Sequence, residues 1–235
     1  MGSEGFGPRV VFTIPGTEIM VSETVTVTWF IMAVIMIVTI LATRKMEKVP
    51  KGSQVVTEAI VSGVRGLTSQ TMGEKNVAFA PYVGMLLFFI AFANLAGLIG
   101  LRPPTADVNT TMALAMMTFF MTHFFGSKSK GIGSYLKGFL DPIPLLLPLN
   151  IMGELANPIS LSFRLFGNIV GGLIIMNLLY GALGGFTEML LSVSVPFFQV
   201  GIPAVLHVYF DLFAGLLQSF IFAMLTMVFV SMAMD

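Results

Sequence analysis

Long uncharged segments rich in hydrophobic residues recur along the chain and are separated by short polar ones. Segments 25–42, 77–101 and 108–125 each contain no Asp, Glu, Lys or Arg. Each matches the ~17–25 apolar residues that a helix needs to cross a bilayer. The pattern therefore predicts three membrane-spanning helices in the first half of the chain. It does not favour a membrane β-barrel, whose strands alternate between apolar and polar residues.

The last third of the chain is hydrophobic over longer stretches than one upright helix can use. Segment 155–183 contains Arg164, and segment 189–234 contains Asp211 as its only full charge. As a helix with a rise of ~1.5 Å per residue, the second segment would be about 69 Å long. The hydrocarbon core is only ~30 Å thick. The segment therefore forms either two spans or one steeply inclined helix, and periodicity alone leaves both open.

Segment 53–75 is polar overall but carries an apolar residue on each helical turn, at Val56, Ile60, Val64 and Leu67. This spacing predicts an amphipathic helix that lies on the membrane surface. A soluble connecting helix is the alternative interpretation.

Segment 139–153 is apolar but short, and it contains Pro142, Pro144 and Pro148. Proline removes a helical hydrogen bond and clashes with the preceding turn. The segment is also too short for an ordinary span. We therefore expect a re-entrant or interfacial hairpin here.

The composition excludes a soluble protein. Of the 235 residues, 56% are hydrophobic and only 10% are charged, whereas soluble domains carry about 25% charged residues. The chain has twelve basic and twelve acidic residues, so its charge gives no indication of a basic surface that binds nucleic acid. With no Cys and only two histidines, His123 and His207, we expect no disulfide, no metal centre and no cofactor. In a bilayer only helices satisfy their own backbone, which predicts an all-α integral membrane protein.

The distribution of positive charge predicts the orientation. Lys and Arg residues gather after the first and third predicted spans, at Arg44, Lys45, Lys48, Lys51, Arg65, Lys75, Lys128, Lys130 and Lys137. The positive-inside rule assigns these loops to the cytoplasm, so segment 1–24 is expected outside. That segment lacks the basic start of a cleavable signal peptide. Together with the absence of a transit peptide, this favours a bacterial plasma membrane.

Arg164 is the residue that most favours a functional site. Arginine at the centre of a membrane helix costs about 2.5–3.5 kcal/mol on insertion scales, and intramembrane charges mark ion pathways. It lies ten residues into its segment, about 15 Å by helical rise, which is deep for the alternative, snorkelling to the interface. Polar and small residues share its helical face, at Asn157, Ser160, Asn168 and Gly171.

A second polar face is predicted on the last segment. His207, Asp211, Ala214, Gly215 and Gln218 follow one another at steps of three and four. Asp211 could take part in ion movement or form a structural ion pair with Arg164. Gln218, Asn94 and Glu154 complete the buried polar candidates, and together the set predicts a hydrated route for a cation. A secondary transporter would need an internal repeat, which is not seen, and an intramembrane hydrolase would need a paired nucleophile and base.

Three motifs resemble subunit a of the F-type ATP synthases. They are SLSFRLFGN at 160–168, PTADVNTT at 104–111 and LQSFIFAMLTMVFVSMA at 217–233. They occur in the family's order, and the resemblance covers residues 77–235. The first 75 residues match mainly in the layout of their segments.

The resemblance implies a stator subunit that does not itself catalyse ATP chemistry. In this family a ring of c subunits, each with one carboxylate, rotates against subunit a. Two offset half-channels carry H⁺ or Na⁺ to and from the ring, and the arginine that matches Arg164 separates them. The resemblance implies two long, inclined C-terminal helices and five crossings, with the C-terminus inside. The implied partners are the c-ring, the peripheral-stalk b subunits, the remaining ATP synthase subunits and lipid.

The chain departs from the family's pattern at two positions. Many relatives carry Glu nine residues after the arginine, where this chain has Leu173. Many bacterial relatives carry His seven residues before the glutamine that matches Gln218, where this chain has Asp211. We expect Asp211, with His207 beside it, to take over the role in the outer half-channel. The coupling ion, H⁺ or Na⁺, stays open.

Overall fold

The structure, a computed structural model, describes residues 9–13, 15, 20–44, 46–141, 143–191 and 198–235. Its helices are α1 Glu23–Thr43, α2 Ser53–Met72, α3 Ala80–Leu95, α4 Val108–Lys130, α5 Ile132–Gly138, α6 Leu147–Leu191, α7 Phe198–His207 and α8 Gly215–Met234. A π-helical segment, Val208–Ala214, joins α7 to α8 without a break. Single 3₁₀ turns cover Glu74–Phe79, Ala96–Ile99, Pro104–Ala106 and Pro144–Leu146.

The helices confirm the predicted all-α membrane architecture. Within the described residues, four stretches are long and apolar enough to cross a bilayer: Glu23–Thr43, Glu74–Ile99, Pro144–Thr187 and Pro203–Met234. α4 has 23 residues over the predicted third span, but Thr and Asn side chains lower its hydropathy. It lies between α6 and α8. With α4, the described residues contain five long helical stretches, and the crossing by α4 stays a prediction.

The core of the bundle is formed by α3, α4, α6 and α8. One apolar cluster unites all four helices and consists of Leu86, Ile90, Ala115, Leu161, Leu165 and Phe222. Two hydroxyl pairs join the same helices: Thr111 to Ser162 at 3.0 Å and Thr118 to Thr226 at 3.0 Å. Lipid offers little hydrophobic drive for helix association, so close packing and such hydrogen bonds hold membrane helices together.

The N-terminal region contains a short hairpin that the sequence analysis did not predict. Strand β1, Val10–Thr13, pairs antiparallel with β2, Met20–Ser22. α1 follows directly and packs on α3. Thr24 in its first turn donates a hydrogen bond to Asp107 at 3.1 Å, and Asp107 in turn caps α4 by accepting from the Asn109 N–H. One carboxylate therefore ties the start of α1 to the start of α4.

α2 covers most of the predicted amphipathic segment 53–75. Val64 and Leu67 pack into a cluster with residues of α3 and α8, whereas Val56 and Ile60 are exposed. The C-terminal half of α2 is thus part of the bundle. The placement of α2 at the membrane surface stays a prediction.

The predicted hairpin segment 139–153 is helical from Leu147 onward, and Asn150 donates back to the carbonyls of Phe139 and Asp141. Its placement as a re-entrant or interfacial segment stays a prediction. After the 3₁₀ turn Pro144–Leu146, residues 147–153 form the first turns of α6. Pro148 lies in the first turn, where a helical N–H has no intrahelical acceptor, so the ring is tolerated there. The number of prolines suggested a break, but their positions permit a helix start; Pro142 lies outside the described residues.

The C-terminal helices are longer than the bilayer is thick. α6 has 45 residues, about 68 Å at 1.5 Å per residue, and extends beyond the predicted 155–183 at both ends. The stretch Pro203–Met234 has 32 residues, or about 48 Å. Both exceed the ~30 Å hydrocarbon core, so they are long enough to cross at a steep incline, as predicted for this part of the chain. Of the predicted segment 189–234, residues 192–197 lie outside the described residues.

We expect Gly126→Ala to destabilise the bundle. A Cβ at Gly126 would lie 2.7 Å from a ring carbon of Tyr135 and 3.1 Å from the backbone oxygen of Ala233. The backbone of α8 cannot yield like a side chain, and overpacking costs about 1–3 kcal/mol. Thermal unfolding in detergent should occur at a lower temperature than for the wild type. Gly133→Ala in α5, where a Cβ meets nothing within 4 Å, is the control, and equal stability of the two variants would contradict the expectation.

Candidate ion-pathway site

Arg164 lies on the outer face of α6. Its neighbours Leu161 and Leu165 are buried against the bundle, whereas Arg164, Ser160 and Phe163 are exposed. Among the described residues, Arg164 has no hydrogen bond or ion pair. The structural ion pair with Asp211, one of the two alternatives for that residue, is absent from the described part of the chain. The guanidinium charge therefore points out of the bundle without an anion from this chain.

A chain of three hydrogen-bonded side chains connects α6 to the last segment. The Tyr180 hydroxyl lies 3.1 Å from Nε2 of His207, and Nδ1 of His207 lies 2.5 Å from a carboxylate oxygen of Asp211. A neutral imidazole carries one N–H. If Nδ1–H donates to the carboxylate, Nε2 accepts from the tyrosine hydroxyl. The predicted pair of His207 and Asp211 is thus brought together, and Tyr180 extends it.

Tyr180 was not among the predicted site residues. It lies on the far part of α6, and only the antiparallel packing of α6 against α7 brings it to His207. Gln199 holds it from the other side by donating to the Tyr180 carbonyl at 2.7 Å. One signal was available in the sequence: Tyr180 is seven residues from Leu173, hence on the same helical face.

The end of the π-helical segment accepts hydrogen bonds from two of the predicted asparagines, Asn94 and Asn168. A change from π to α hydrogen bonding leaves backbone carbonyls without their helical partners, and π segments occur often at functional sites. Here Asn168 donates to the carbonyl of Ala214 at 3.3 Å, and Asn94 donates to that of Gly215 at 2.8 Å. The two amides, from α6 and α3, therefore fix the end of the segment that carries Asp211.

Asn94 and Gln218 lie deep inside the bundle. Asn94 is almost fully buried and also accepts from the Thr105 hydroxyl at 2.7 Å, so both ends of its amide are engaged by protein. Asn94 therefore has a structural role, because its amide joins α3 to the start of α8 and to Thr105. Gln218 is 6% exposed, and its Nε2 has no partner among the described residues.

The remaining predicted residues, Glu154 and Asn157, line a cavity. The cavity has a volume of about 660 Å³ and lies between the ends of α4 and α8, α5 and the start of α6. It shares Glu154 and Asn157 with a small pocket of about 10 Å³ that ends at Leu161. A pocket of that size holds about one water molecule. Asn157 donates to Glu154 at 3.4 Å, so the two side chains stand where the wide cavity narrows.

The two polar sites lie on opposite sides of Arg164 along α6. By helical rise, Arg164 is about 15 Å from Glu154 and about 24 Å from Tyr180. The cavity end of the bundle also contains the end of α8, where Ser129 donates to the Met234 carbonyl. The sequence-predicted residues thus separate into an Asp211 site, a cavity site and the exposed arginine between them.

The chain matches a known protein family over most of its length. The family model described as ATP synthase A chain matches residues 25–231. The chain belongs to the ATP synthase subunit a family. Its fold, a multi-pass bundle of membrane helices, is that of a membrane-sector subunit.

Relatives match over most of their length. The chain is 33% identical to "ATP synthase subunit a, sodium ion specific" of Propionigenium modestum, over 95% of this chain and 84% of that protein. It is 36% identical to "ATP synthase subunit a 2" of Syntrophotalea carbinolica, with 90% and 85% covered. It is also 36% identical to ATP synthase subunit a of Geobacter sp. strain M21, with 91% and 88% covered.

We expect Asn94→Leu to destabilise this subunit a by about 2–6 kcal/mol. The substitution leaves the Gly215 carbonyl and the Thr105 hydroxyl buried without their partner, and each unsatisfied group costs about 1–3 kcal/mol. Thermal unfolding in detergent measures the loss. Gln218→Leu is the matched control, because it removes an equally buried amide whose nitrogen has no partner. Equal stability of the two variants would contradict a clamping role for Asn94.

Proposed function

We propose that this chain is the ion-translocating stator of a rotary F-type ATP synthase and is not itself catalytic. It provides two offset half-channels that carry H⁺ or Na⁺ to and from the carboxylates of a c-ring. Ion flow is thereby coupled to ring rotation and to ATP synthesis or hydrolysis. The observation that carries the proposal is Arg164, a cation on the exposed face of an apolar helix with no anion from its own described chain.

The surroundings of Arg164 suit a rotating partner. Phe163, Ile159 and Leu155 are exposed beside it, which is typical of a helix face covered by other membrane helices. A charge in lipid needs an opposite charge close by, and a c-ring carboxylate supplies it once per passing subunit. The guanidinium attracts the carboxylate, helps it release its ion and blocks direct leakage between the half-channels.

The Tyr180–His207–Asp211 chain supports an outer half-channel. Gly172 of α6 lies against Phe210, so that an added Cβ would be 3.5 Å from the Phe210 Cβ. Leu173, the position at which many relatives carry Glu, directly follows Gly172, and Asp211 directly follows Phe210. Asp211 takes over the carboxylate of that position, and Asn168 and Gln218 lie between it and Arg164.

The cavity at Glu154 and Asn157 supports an inner half-channel. It is wide at the end of the bundle and narrows to the space of one water molecule. A carboxylate at the narrow point attracts cations from the water that fills the cavity. From there the route leads along α6 to the ring-facing side of Arg164.

The proposed location is a bacterial plasma membrane with the N-terminus outside and the C-terminus in the cytoplasm. The cavity end of the bundle carries Lys128, Lys130 and Lys137, which the positive-inside rule places in the cytoplasm. The c-ring covers the Arg164 face, and the peripheral-stalk b subunits and the remaining ATP synthase subunits complete the complex.

Arg164→Ala tests the proposal directly. In inverted vesicles that contain the assembled complex, we expect ATP-driven ion pumping to fall to the background of vesicles lacking the complex. The ring carboxylate then has no cation to meet, whereas Ser160→Ala on the same exposed face should pump as the wild type does. Varying Na⁺ at fixed pH in the same assay identifies the coupling ion. Pumping that survives Arg164→Ala in an assembled complex would overturn the stator role.

Asp211→Asn tests the outer half-channel. The variant keeps a hydrogen-bond acceptor for His207 but cannot take up a cation, so we expect pumping to fall by at least about tenfold, as for loss of a proton-transferring group. Asp107→Asn is the matched control, because Asp107 caps α4 and asparagine caps a helix equally well. If Asp211→Asn pumps at the wild-type rate, the outer role belongs to another residue.

A further inference from the structure

His123 and Tyr135 form a titratable pair that the proposed function does not use. His123 lies near the end of α4, and its Nδ1 is 2.6 Å from the Tyr135 hydroxyl on α5. The imidazole packs edge-on against Phe119, with ring centres 4.1 Å apart, and also faces Phe139. The ring is thus held in place at the end of the bundle where the cavity opens.

Tyr135 connects this pair to the cavity. Its side chain lines the same cavity as Glu154, Asn157 and Asn150. Burial raises the pKa of Tyr135, and the nearby negative charge of Glu154 raises it further. The phenol therefore keeps its proton in the physiological range and can receive one proton while it gives up another.

Proton supply limits a motor that takes protons from neutral water. At pH 8 the proton concentration is about 10⁻⁸ M, so a site that captures protons at a diffusion limit of about 10¹⁰ M⁻¹s⁻¹ receives roughly 100 per second. Typical enzyme turnover reaches about 1–10³ per second. A lone carboxylate at the narrow point of a cavity would then limit the rate, whereas an imidazole nearer the open end adds a second group that accepts protons from water and buffer.

We propose that His123 and Tyr135 form a proton-collecting relay that passes protons from cytoplasmic water to Glu154. This inference rests on the proposed function and commits to H⁺ as the ion at the inner half-channel. A proton binds Nε2 of His123, the Nδ1 proton moves to the Tyr135 oxygen, and the hydroxyl proton leaves through cavity water to Glu154. One proton enters and one leaves, and exchange of the ring tautomer through water resets the pair.

The charges around the cavity favour this direction. Besides Tyr135 and Glu154, its titratable lining consists of Lys130, on the same helix as His123, and Asp141, which precedes α6. Lys130 and Asp141 carry opposite charges, which together add no net charge to the cavity. The carboxylate of Glu154, deeper in the cavity, therefore draws the proton inward.

The test is ATP-driven pumping by the assembled complex in inverted vesicles, whose outer medium faces the cavity. Tyr135→Phe removes only the hydroxyl and keeps the ring, and His123→Gln removes the imidazole. We expect both to pump nearly as the wild type does at about pH 6, where protons are abundant, and about tenfold more slowly at about pH 8. Because the two groups act in series, the double variant should lose no more than either single variant.

Tyr82→Phe is the matched control, since its hydroxyl is buried and has no partner in the described part of the chain. A loss of equal size at both pH values would assign His123 and Tyr135 a structural role and overturn the relay. Unchanged pumping at both pH values, or pumping that follows Na⁺ and ignores pH, would overturn it as well. Arg164→Ala in the same vesicles separates the two ideas: if it abolishes pumping while the pair's variants behave as the wild type, only the relay fails.

Discussion

An unpaired guanidinium on an apolar helix face is the constraint on which the rest of this structure depends. Arg164 costs a few kcal/mol in a bilayer unless an anion approaches it, and the described chain supplies none. The buried polar pairs, Thr111 with Ser162 and Thr118 with Thr226, are satisfied inside the bundle. The charge is therefore presented outward, and in the proposed function a neighbouring subunit with a carboxylate stabilises it.

The packing of the bundle behind Arg164 keeps the guanidinium on the outer face of α6. Small side chains and hydroxyl pairs bring α4, α6 and α8 close together, which is how helices associate without a hydrophobic drive. Asn94 and Asn168 fix the end of the π-helical segment on the same scaffold. Asp211 and the cavity at Glu154 are consequently held at separate positions along α6, on either side of the arginine. In the proposed function, a rigid separation of this kind keeps the two half-channels from joining.

Charged candidates are easier to select from the sequence than neutral ones. Arg164 and Asp211 stand out because a charge inside a hydrophobic segment is expensive wherever it lies. Asn94 is different, since an amide can line a water path or clamp two helices, and only its contacts distinguish the roles. Tyr180 and Tyr135 went unnoticed because tyrosine is common in membrane proteins and their partners lie on other helices. At 139–153 the number of prolines gave no sign of the helix that begins at Leu147, because a proline in the first turn is compatible with a helix start.

The sequence by itself determined that this is a helical membrane protein with one intramembrane arginine, because hydropathy and charge act locally and need no partner to be recognised. Its motifs also indicated the family to which the chain belongs. Only the tertiary structure decided which way Arg164 faces, which acid pairs with His207 and where the cavity narrows. Those properties depend on the packing of helices that are far apart in the chain, and hydrophobic pattern carries no information about which faces meet when nearly every face is apolar.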